Sequence, residues 1–260
     1  MRGGARRNDF WDAELPVAIA HRGGAAAFGA DKYRKENTLA VFAQAVKMGY
    51  GYLELDVIKT ADDKVIVLHV ASYKIEGRLG RKDAPSPAKL QELTHKELKD
   101  LLGRDIPTLD ILLSRFPATK FFVDAKTDEV VEPLANLINK LDAYDRVVVG
   151  SFFPRRLTKT YRILGSEARL NLNISRLPLK MRQDMRFIAS HNYIKSVHLP
   201  YLWATKRRVN ALKDKGVKVL VWTPNTRERI NKTIQTGADG IISDNATLLK
   251  EVLADHKSGA

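Results

Sequence analysis

The sequence contains no cysteine, no long apolar run and too few acidic residues to balance its basic ones. The absence of cysteine excludes a disulfide framework, a thiolate metal site and a cysteine nucleophile. No stretch approaches the ~20 apolar residues that a membrane span needs. The basic segment from Met1 to Trp11 also lacks the apolar region of a signal peptide. We therefore expect a cytoplasmic protein that meets a membrane only peripherally, if at all.

The excess of basic residues is the first feature of the composition that needs a physical explanation. The 260 residues include 44 Lys and Arg against 30 Asp and Glu, which gives a formal net charge of +14. Such a charge fits three classes of partner: nucleic acid, an anionic membrane or a small phosphorylated substrate. The basic residues are dispersed and accompany no helix-turn-helix, zinc or RNA-binding sheet motif. We therefore expect no nucleic-acid partner.

Short apolar runs alternate along the chain with amphipathic segments. The runs mostly lack polar alternation, as do strands that are buried on both faces. The predicted strands are Val17–Ala20, Tyr52–Ile58, Val65–His69, Lys120–Asp124, Arg146–Gly150, Ala168–Leu172, Ser196–Leu199, Val217–Trp222 and Gly240–Ser243. The predicted helices are Thr38–Met48, a helix from a Thr94/Glu97 capping box through Leu102, Val130–Leu141, Arg155–Leu164, Thr205–Lys215 and Arg227–Gln235.

This alternation of strands and helices predicts a parallel α/β fold. Nine candidate strands in 260 residues suit a closed (β/α)8 TIM barrel in which one strand is irregular. A doubly wound open sheet is the alternative. His21-Arg22-Gly23-Gly24 stands where a dinucleotide-binding sheet would carry its glycine motif, so we expect no such site. We predict one barrel domain over residues 1–260, with its core at about 17–250.

The region around the third strand predicts two irregularities. The connection between Val57 and Lys64 is too short for a helix. An antiparallel pairing centred on Asp62 and Asp63 would place Asp56 opposite His69, while a parallel pairing stays open. A glycine-rich and basic stretch follows, and we predict an insertion or rim loop over about 71–92.

Polar side chains occur where the predicted strands end. The carboxyl ends of barrel strands share one face, so we expect these side chains to converge there. They are His21, Arg22, Glu54, Asp56, His69, Asp124 and Lys126.

The three carboxylates of this set predict a metal site. Glu54 and Asp56 are two positions apart in one strand, so both side chains point to the same side. Together with Asp124 they offer only oxygen ligands, which suit one Mg²⁺ or Ca²⁺ better than zinc.

The remaining four residues suit phosphoryl transfer. One histidine can accept a proton from the attacking hydroxyl, and the other can donate a proton to the leaving oxygen. Arg22 can hold phosphate oxygens with its planar fork, and Lys126 adds a point charge. A metal would offset the charge of the transition state.

These motifs resemble those of the glycerophosphodiester phosphodiesterase family. The resemblance covers roughly His21 to Leu249. Its motifs, in order, are His21-Arg22-Gly23-Gly24, Glu36-Asn37-Thr38, Glu54-Leu55-Asp56-Val57, Val65 to His69, Ile106 to Leu109, Phe122 to Lys126, Ser151-Phe152, Val221 to Asn225, and Gly237 to Asp244.

The resemblance implies a TIM barrel that hydrolyses glycerophosphodiesters to sn-glycerol 3-phosphate and an alcohol. It implies His21 and His69 as the acid–base pair. It implies one divalent cation on Glu54, Asp56 and Asp124, and phosphate contacts from Arg22 and Lys126. Attack by the glycerol 2-hydroxyl, giving a cyclic phosphate that water opens, would follow the related phosphoinositide lipases.

Three departures from the family pattern bear on activity and substrate. Val70 follows His69 where the family usually has Asp, and Asp124 stands where Glu is usual. The loop from Gly24 to Lys35 is longer and more basic than usual, and basic rim loops could touch an anionic membrane. A lysophospholipid- or polymer-directed phosphodiesterase, or a catalytically weak relative that only binds diesters, therefore stays open.

Three further residues allow two interpretations each. Glu36 either helps to cap the following helix or supports the site from outside, and Trp222 is either a core residue or a platform for ligand. For His198, at the end of a barrel strand, we expect a structural role.

Overall fold

A computed structural model of the chain describes residues 10–26, 29, 35–69 and 87–258. Its strands form one sheet in which the first strand pairs with both the second and the last, so eight parallel strands close into a barrel. The strands are β1 Val17–His21, β2 Tyr52–Lys59, β3 Val65–Val67, β4 Lys120–Ala125, β5 Val147–Ser151, β6 Leu170–Asn173, β7 Ile194–Pro200, β8 Lys218–Trp222 and β9 Gly240–Ser243. The predicted barrel is confirmed, and the open doubly wound sheet is wrong.

Helices follow the strands and surround the barrel. They are α1 Leu39–Lys47, α2 Pro87–Leu90, α3 His95–Leu102, α4 Leu109–Arg115, α5 Val131–Lys140, α6 Pro154–Leu164, α7 Pro178–Ser190, α8 Lys206–Lys213, α9 Arg227–Gln235 and α10 Ala246–Ser258. The six predicted helices are present, with ends shifted by no more than a residue or two. The Thr94/Glu97 capping box is confirmed at α3. Helix α7 was not predicted. It buries only Asp184 and Ile188, so its sequence lacks the apolar periodicity of an amphipathic helix.

The strand outside the barrel count is β3, which pairs antiparallel with the end of β2. Lys59 pairs with Val65 and Val57 with Val67, so Asp56 faces Leu68, whose N–H donates to the Asp56 carbonyl at 2.9 Å. The predicted pairing of Asp56 with His69 is therefore wrong by one residue. The loop has three residues rather than two, because Asp63 adopts a left-handed φ of 57° in the turn.

Part of the predicted rim insertion, at 71–86, lies outside the described residues, as do positions 30–34 of the long first loop, which include Lys32 and Arg34. The described remainder of the insertion contains α2 and leads to α3. Within the described ranges, no helix is both long enough and apolar enough to cross a lipid bilayer.

The barrel interior is apolar at one end and charged at the other. Phe10 is fully buried at the amino ends of the strands, with its ring centroid 5.6 Å from Tyr52 and 5.2 Å from Phe122. Alternate residues of a barrel strand point inward. Tyr52 therefore shares the inner face of β2 with Glu54 and Asp56, which lie further along the strand. The barrel is therefore closed by aromatic side chains at the amino ends of its strands, and the carboxylates lie toward the open, carboxyl end.

Candidate functional site

The seven site residues predicted from the sequence line one cavity at the carboxyl ends of the strands. The cavity has a volume of about 190 Å³. Its lining consists of His21, Arg22, Glu54, Asp56, His69, Asp124, Lys126, Phe152, Asn173, His198, Trp222 and Ile242. Closure of the barrel therefore brings together the residues that the chain separates.

The turn after β1 depends on its glycines. Arg22, Gly23 and Gly24 have φ values of 52°, 85° and 77°, a left-handed run that side chains with a Cβ rarely adopt. A Cβ on Gly23 would lie 2.5 Å from the Val41 side chain, and one on Gly24 would lie 2.5 Å from Ala246. The two glycines are therefore needed for the backbone conformation of this turn. In this conformation the Arg22 N–H donates to the Glu54 carboxylate at 3.2 Å.

Arg22 is the centre of the polar contacts in the cavity. Its Nη1 donates to both carboxylate oxygens of Glu36 at 3.0 and 3.2 Å, and its Nε lies 3.0 Å from Asp56 Oδ2. Its Nη2 lies 3.0 Å from His69 Nε2. The guanidinium is therefore held in the cavity wall, where an anionic ligand would meet it.

The segment before α1 supports the site instead of capping the helix through Glu36. Thr38 provides the cap by accepting from the Val41 N–H. Asn37 donates to Asp56 Oδ2 at 3.1 Å, and Glu36 accepts from Arg22. Of the two interpretations of Glu36, the contacts favour the supporting one.

Three buried carboxylates lie close together in the cavity. Glu54, Asp56 and Asp124 each place a carboxylate oxygen within 4.8 Å of the others. Lys126 Nζ lies 2.6 Å from Asp56 Oδ1 and 2.5 Å from Asp124 Oδ2. Burial, together with the charge of Asp56, raises the pKa of both Glu54 and Asp124. Burial opposes the charge of Asp56 as well, but Lys126 and Arg22 outweigh it and hold the pKa of Asp56 well below its usual value.

This donor set fits a hard divalent cation. All its ligand atoms are oxygens, and the carboxylates are removed from water, where uncompensated charge is costly. Among the described residues, no hydrogen-bond donor reaches Asp124 Oδ1, although this atom is buried. A cation bound by the three carboxylates would satisfy that oxygen and relieve their mutual repulsion.

His21 is held between two carboxylates. Its Nδ1 lies 2.5 Å from Asp244 Oδ1, and its Nε2 lies 3.7 Å from Glu54 Oε2. Burial and Arg22 act to lower the pKa of His21, but Glu54 and Asp244 outweigh them and raise it. Asn225 donates to the other oxygen of Asp244 at 2.7 Å and fixes the carboxylate.

Asp244 was not among the predicted site residues. It follows Ser243, the last residue of β9, and so occupies the same strand-end position as the other polar residues of the site. That position was the signal that could have identified it.

His69 has the opposite surroundings. Its Nε2 faces the Arg22 guanidinium at 3.0 Å, and its Nδ1 lies 3.7 Å from Glu36 Oε1. Burial lowers the pKa of His69 to about 3, and Arg22 and Lys126 act in the same direction against the pull of Asp56. The neutral imidazole is therefore the favoured form. Val70, the position of the missing family carboxylate, lies outside the described residues.

Aromatic side chains form the rest of the wall. The rings of Trp222 and Phe152 meet edge to face at 5.7 Å, and the Arg176 guanidinium lies 4.8 Å from the Trp222 ring. Trp222 therefore belongs to the cavity wall and not only to the core. His198 also lines the cavity, and burial lowers its pKa to about 3.

Comparison with known proteins agrees with this architecture. The model of the glycerophosphoryl diester phosphodiesterase family matches residues 21–248. A Mycobacterium tuberculosis protein named "Probable glycerophosphodiester phosphodiesterase 2" is 28% identical, over 96% of each chain. Rat "Lysophospholipase D GDPD1" is 25% identical, over 90% of this chain and 85% of its own. A glycerophosphodiester phosphodiesterase structure from Thermotoga maritima superimposes with a TM-score of 0.74 at 24% identity, covering 92% of this chain and 99% of the other.

Proposed function

The chain belongs to the glycerophosphoryl diester phosphodiesterase family and is therefore a phosphoric diester hydrolase, and we propose that it cleaves glycerophosphodiesters to sn-glycerol 3-phosphate and an alcohol. The observation that carries this proposal is the composition of the cavity. His21 and His69, three clustered carboxylates and two basic side chains face the same cavity. Each kind of group has a task in the transfer of a phosphodiester.

Glu54, Asp56 and Asp124 would hold one divalent cation, Mg²⁺ or Ca²⁺. When bound, such a cation neutralises negative charge that develops on the phosphorus oxygens. The resemblance of the motifs, the oxygen-only ligands and the unsatisfied Asp124 Oδ1 all support this assignment.

His21 and His69 would share the proton transfers. His21 has its Nδ1 on Asp244, which favours the protonated ring and leaves Nε2 to donate a proton to the leaving alcohol oxygen. His69 lies beside a cation that favours its neutral ring, so it can accept the proton of the attacking glycerol 2-hydroxyl. The attack forms a P–O bond to that oxygen and expels the alcohol. Water then opens the resulting cyclic phosphate: it gives a proton to the now neutral His21 and bonds to phosphorus, the P–O bond to the 2-oxygen breaks, and protonated His69 returns its proton to that oxygen.

Arg22 and Lys126 would bind the phosphate. A guanidinium can donate two parallel hydrogen bonds to phosphate oxygens, and an ammonium adds a compact charge. In this structure both cations contact carboxylates, Arg22 at Glu36 and Asp56 and Lys126 at Asp56 and Asp124. Those contacts keep the two side chains charged and directed into the cavity.

The test is hydrolysis of a panel of soluble glycerophosphodiesters, including glycerophosphocholine, with and without EDTA. We expect turnover that EDTA abolishes and that Mg²⁺ or Ca²⁺ restores. His21→Ala should abolish turnover, whereas His191→Ala, a histidine just after α7 and outside the cavity lining, should leave it intact. Turnover by His21→Ala at the wild-type rate would exclude the proposed mechanism. Metal binding without turnover of any diester would instead favour a binding protein.

A second candidate substrate is a lysophospholipid. The rat relative is named a lysophospholipase D, and the cavity here is bordered by Phe152, Trp222 and Ile242, which offer an apolar surface to an acyl chain. Comparing kcat/KM for glycerophosphocholine and for lysophosphatidylcholine below its micelle concentration separates the two. A clear preference for the acylated diester would assign the lipid substrate.

A further inference from the structure

Three neighbouring loops on the cavity side of the barrel have an unusual composition. They follow β5, β6 and β7, which are consecutive strands of the barrel. With the first residues of the helices that come next, α6, α7 and α8, they span residues 152–156, 174–183 and 201–208. These segments contain no Asp or Glu. Their basic residues are Arg155, Arg156, Arg176, Lys180, Arg182, Lys206, Arg207 and Arg208. Arg155 and Arg156 pair with Asp128, and Lys180 pairs with Asp184, so the positive charge of the rim comes mainly from the other five.

The same loops expose large apolar side chains. Leu177, Leu179 and Leu202 are 68%, 72% and 66% exposed, more than any other large apolar side chain of the described residues. Phe153 is 40% exposed, with the Arg155 and Arg156 guanidinium groups 4.9 and 4.4 Å from its ring centre. Leaving three leucines in water is unfavourable, and their placement on one side of the barrel mouth calls for an apolar partner. We call residues 152–156, 174–183 and 201–208 the apolar-basic rim.

The apolar-basic rim is continuous with the cavity. Arg176, the neighbour of Leu177, lies over Trp222, whose ring lines the cavity. Phe153 follows Phe152, whose ring meets the Trp222 ring edge to face. A surface that met this rim would therefore lie beside the opening through which substrate reaches His21 and Lys126.

We propose that the apolar-basic rim docks the barrel onto a bilayer that contains anionic phospholipids. Leucine side chains gain free energy when they enter the acyl region, while Lys and Arg attract anionic headgroups from just outside it. The combination fits a lipid surface better than a nucleic acid, because aliphatic side chains offer neither stacking nor base contacts. It also disfavours a symmetric dimer through this rim, since two copies would bring like charges together.

This surface differs from the one that the sequence predicted. The sequence raised contact with an anionic membrane only as an alternative for the basic stretches at 32–35 and 78–82, and residues 32–34 and 78–82 lie outside the described residues. The proposed rim consists entirely of described residues on three other loops. Docking itself is independent of the proposed reaction; only its use in delivering lipid diesters to the cavity depends on that reaction.

Sedimentation with vesicles tests the docking surface. The vesicles are pure phosphatidylcholine or phosphatidylcholine mixed with phosphatidylserine, each at low and high salt. We expect binding only to the anionic vesicles, and weaker binding as salt screens the charges. Lys206→Glu/Arg207→Glu should weaken binding about tenfold or more, because each basic residue near an anionic surface contributes severalfold. Leu177→Ser/Leu179→Ser should weaken it by about tenfold or more as well, because apolar burial is lost.

Matched controls exist at other places on the barrel. Lys140 is the last residue of α5, and Lys215 follows the end of α8 by two residues, so both lie near the end of the barrel opposite the cavity. Lys140→Glu/Lys215→Glu makes the same change in net charge as the charge-reversal variant of the rim. Ile111 and Ile163 are apolar residues on α4 and α6 with 46% and 37% exposure, and Ile111→Ser/Ile163→Ser makes the same kind of replacement away from the rim. Both control variants should bind vesicles like the wild type.

Several results would overturn the docking proposal. The first is that the protein does not bind anionic vesicles at low salt, and the second is that rim and control variants lose vesicle binding equally. The third is that charge reversal weakens vesicle binding while leucine replacement does not. The last result would indicate a polyanion without an apolar phase. Hydrolysis of soluble glycerophosphocholine is measured in parallel and should be unchanged in all four variants. Vesicle binding without hydrolysis would refute only the proposed reaction, and hydrolysis without vesicle binding would refute only the docking.

Discussion

The Nδ1 atom of His21 lies 2.5 Å from the Oδ1 atom of Asp244, although 223 positions separate the two residues in the chain. The contact exists because β1 pairs in parallel with β9, so the last strand ends beside the first. A carboxylate at this place fixes the orientation of the imidazole and favours its protonated form. Loss of the Asp244 carboxylate should therefore change both the rate and the pH dependence of hydrolysis.

Replacing Asp244 with Asn should lower kcat for a soluble diester about 10- to 100-fold, since a charge-assisted hydrogen bond is worth about 1.5–3 kcal/mol. It should also change the pH profile. Asp244 helps to raise the pKa of His21, so its loss lowers that pKa. If protonated His21 is required, the loss of rate at high pH then begins at a lower pH than in the wild type.

The matched control is Asp128→Asn, which removes a carboxylate bound to Arg155 and Arg156 outside the cavity lining. Its pH profile should match that of the wild type. A profile of Asp244→Asn that keeps the wild-type high-pH limb would show that Asp244 does not act through His21.

Replacing Glu54 with Gln should weaken metal binding while leaving the fold intact. The change keeps the shape of the side chain but removes one of the three clustered negative charges. We expect the Mg²⁺ or Ca²⁺ concentration for half-maximal activity to rise about tenfold or more, because even outer contacts to a metal site matter by that factor. Metal titration of the activity and calorimetric binding measure it, with Glu132→Gln, at an exposed position of α5, as control. An unchanged titration would remove Glu54 from the ligand set.

Replacing Arg22 with Lys should raise KM for soluble diesters about 10- to 100-fold, because the ammonium keeps the charge but loses the planar fork. The contacts to Glu36 and His69 would be lost together with the fork. Steady-state kinetics check this, with Arg155→Lys as a control of the same chemical change on the rim. Inorganic phosphate should inhibit the variant more weakly, and unaltered inhibition would argue against a phosphate contact.

Replacing Phe10 with Ala should destabilise the barrel by about 3–5 kcal/mol, because a fully buried aromatic leaves a cavity behind. Phe10 closes the amino end of the barrel, far along the strands from the cavity. Urea denaturation measures the loss, and the remaining folded protein should keep its activity. Leu202→Ala, a replacement of an exposed side chain, should change stability by no more than about 0.5 kcal/mol.

The sequence determined much of the fold because local patterns carried it. Nine apolar runs became nine strands, and the motif residues at strand ends reached one cavity, since the barrel requires parallel strands to end on one face. Prediction from the sequence failed where the pairing of two strands depended on a single backbone angle. The register of β2 with β3 shifted by one residue because Asp63 took a left-handed conformation in the turn.

Tertiary structure alone decided how the site residues are paired. The sequence named His21, His69 and Arg22, but it could not show that Asp244 holds one histidine while Arg22 faces the other. Nor could it show that Leu177 and Leu179 share one side of the barrel mouth with Leu202, which follows the next strand. Composition and periodicity act over a few residues along the chain. The charge around a histidine and the exposure of a leucine are set by neighbours that only the closure of the barrel brings close.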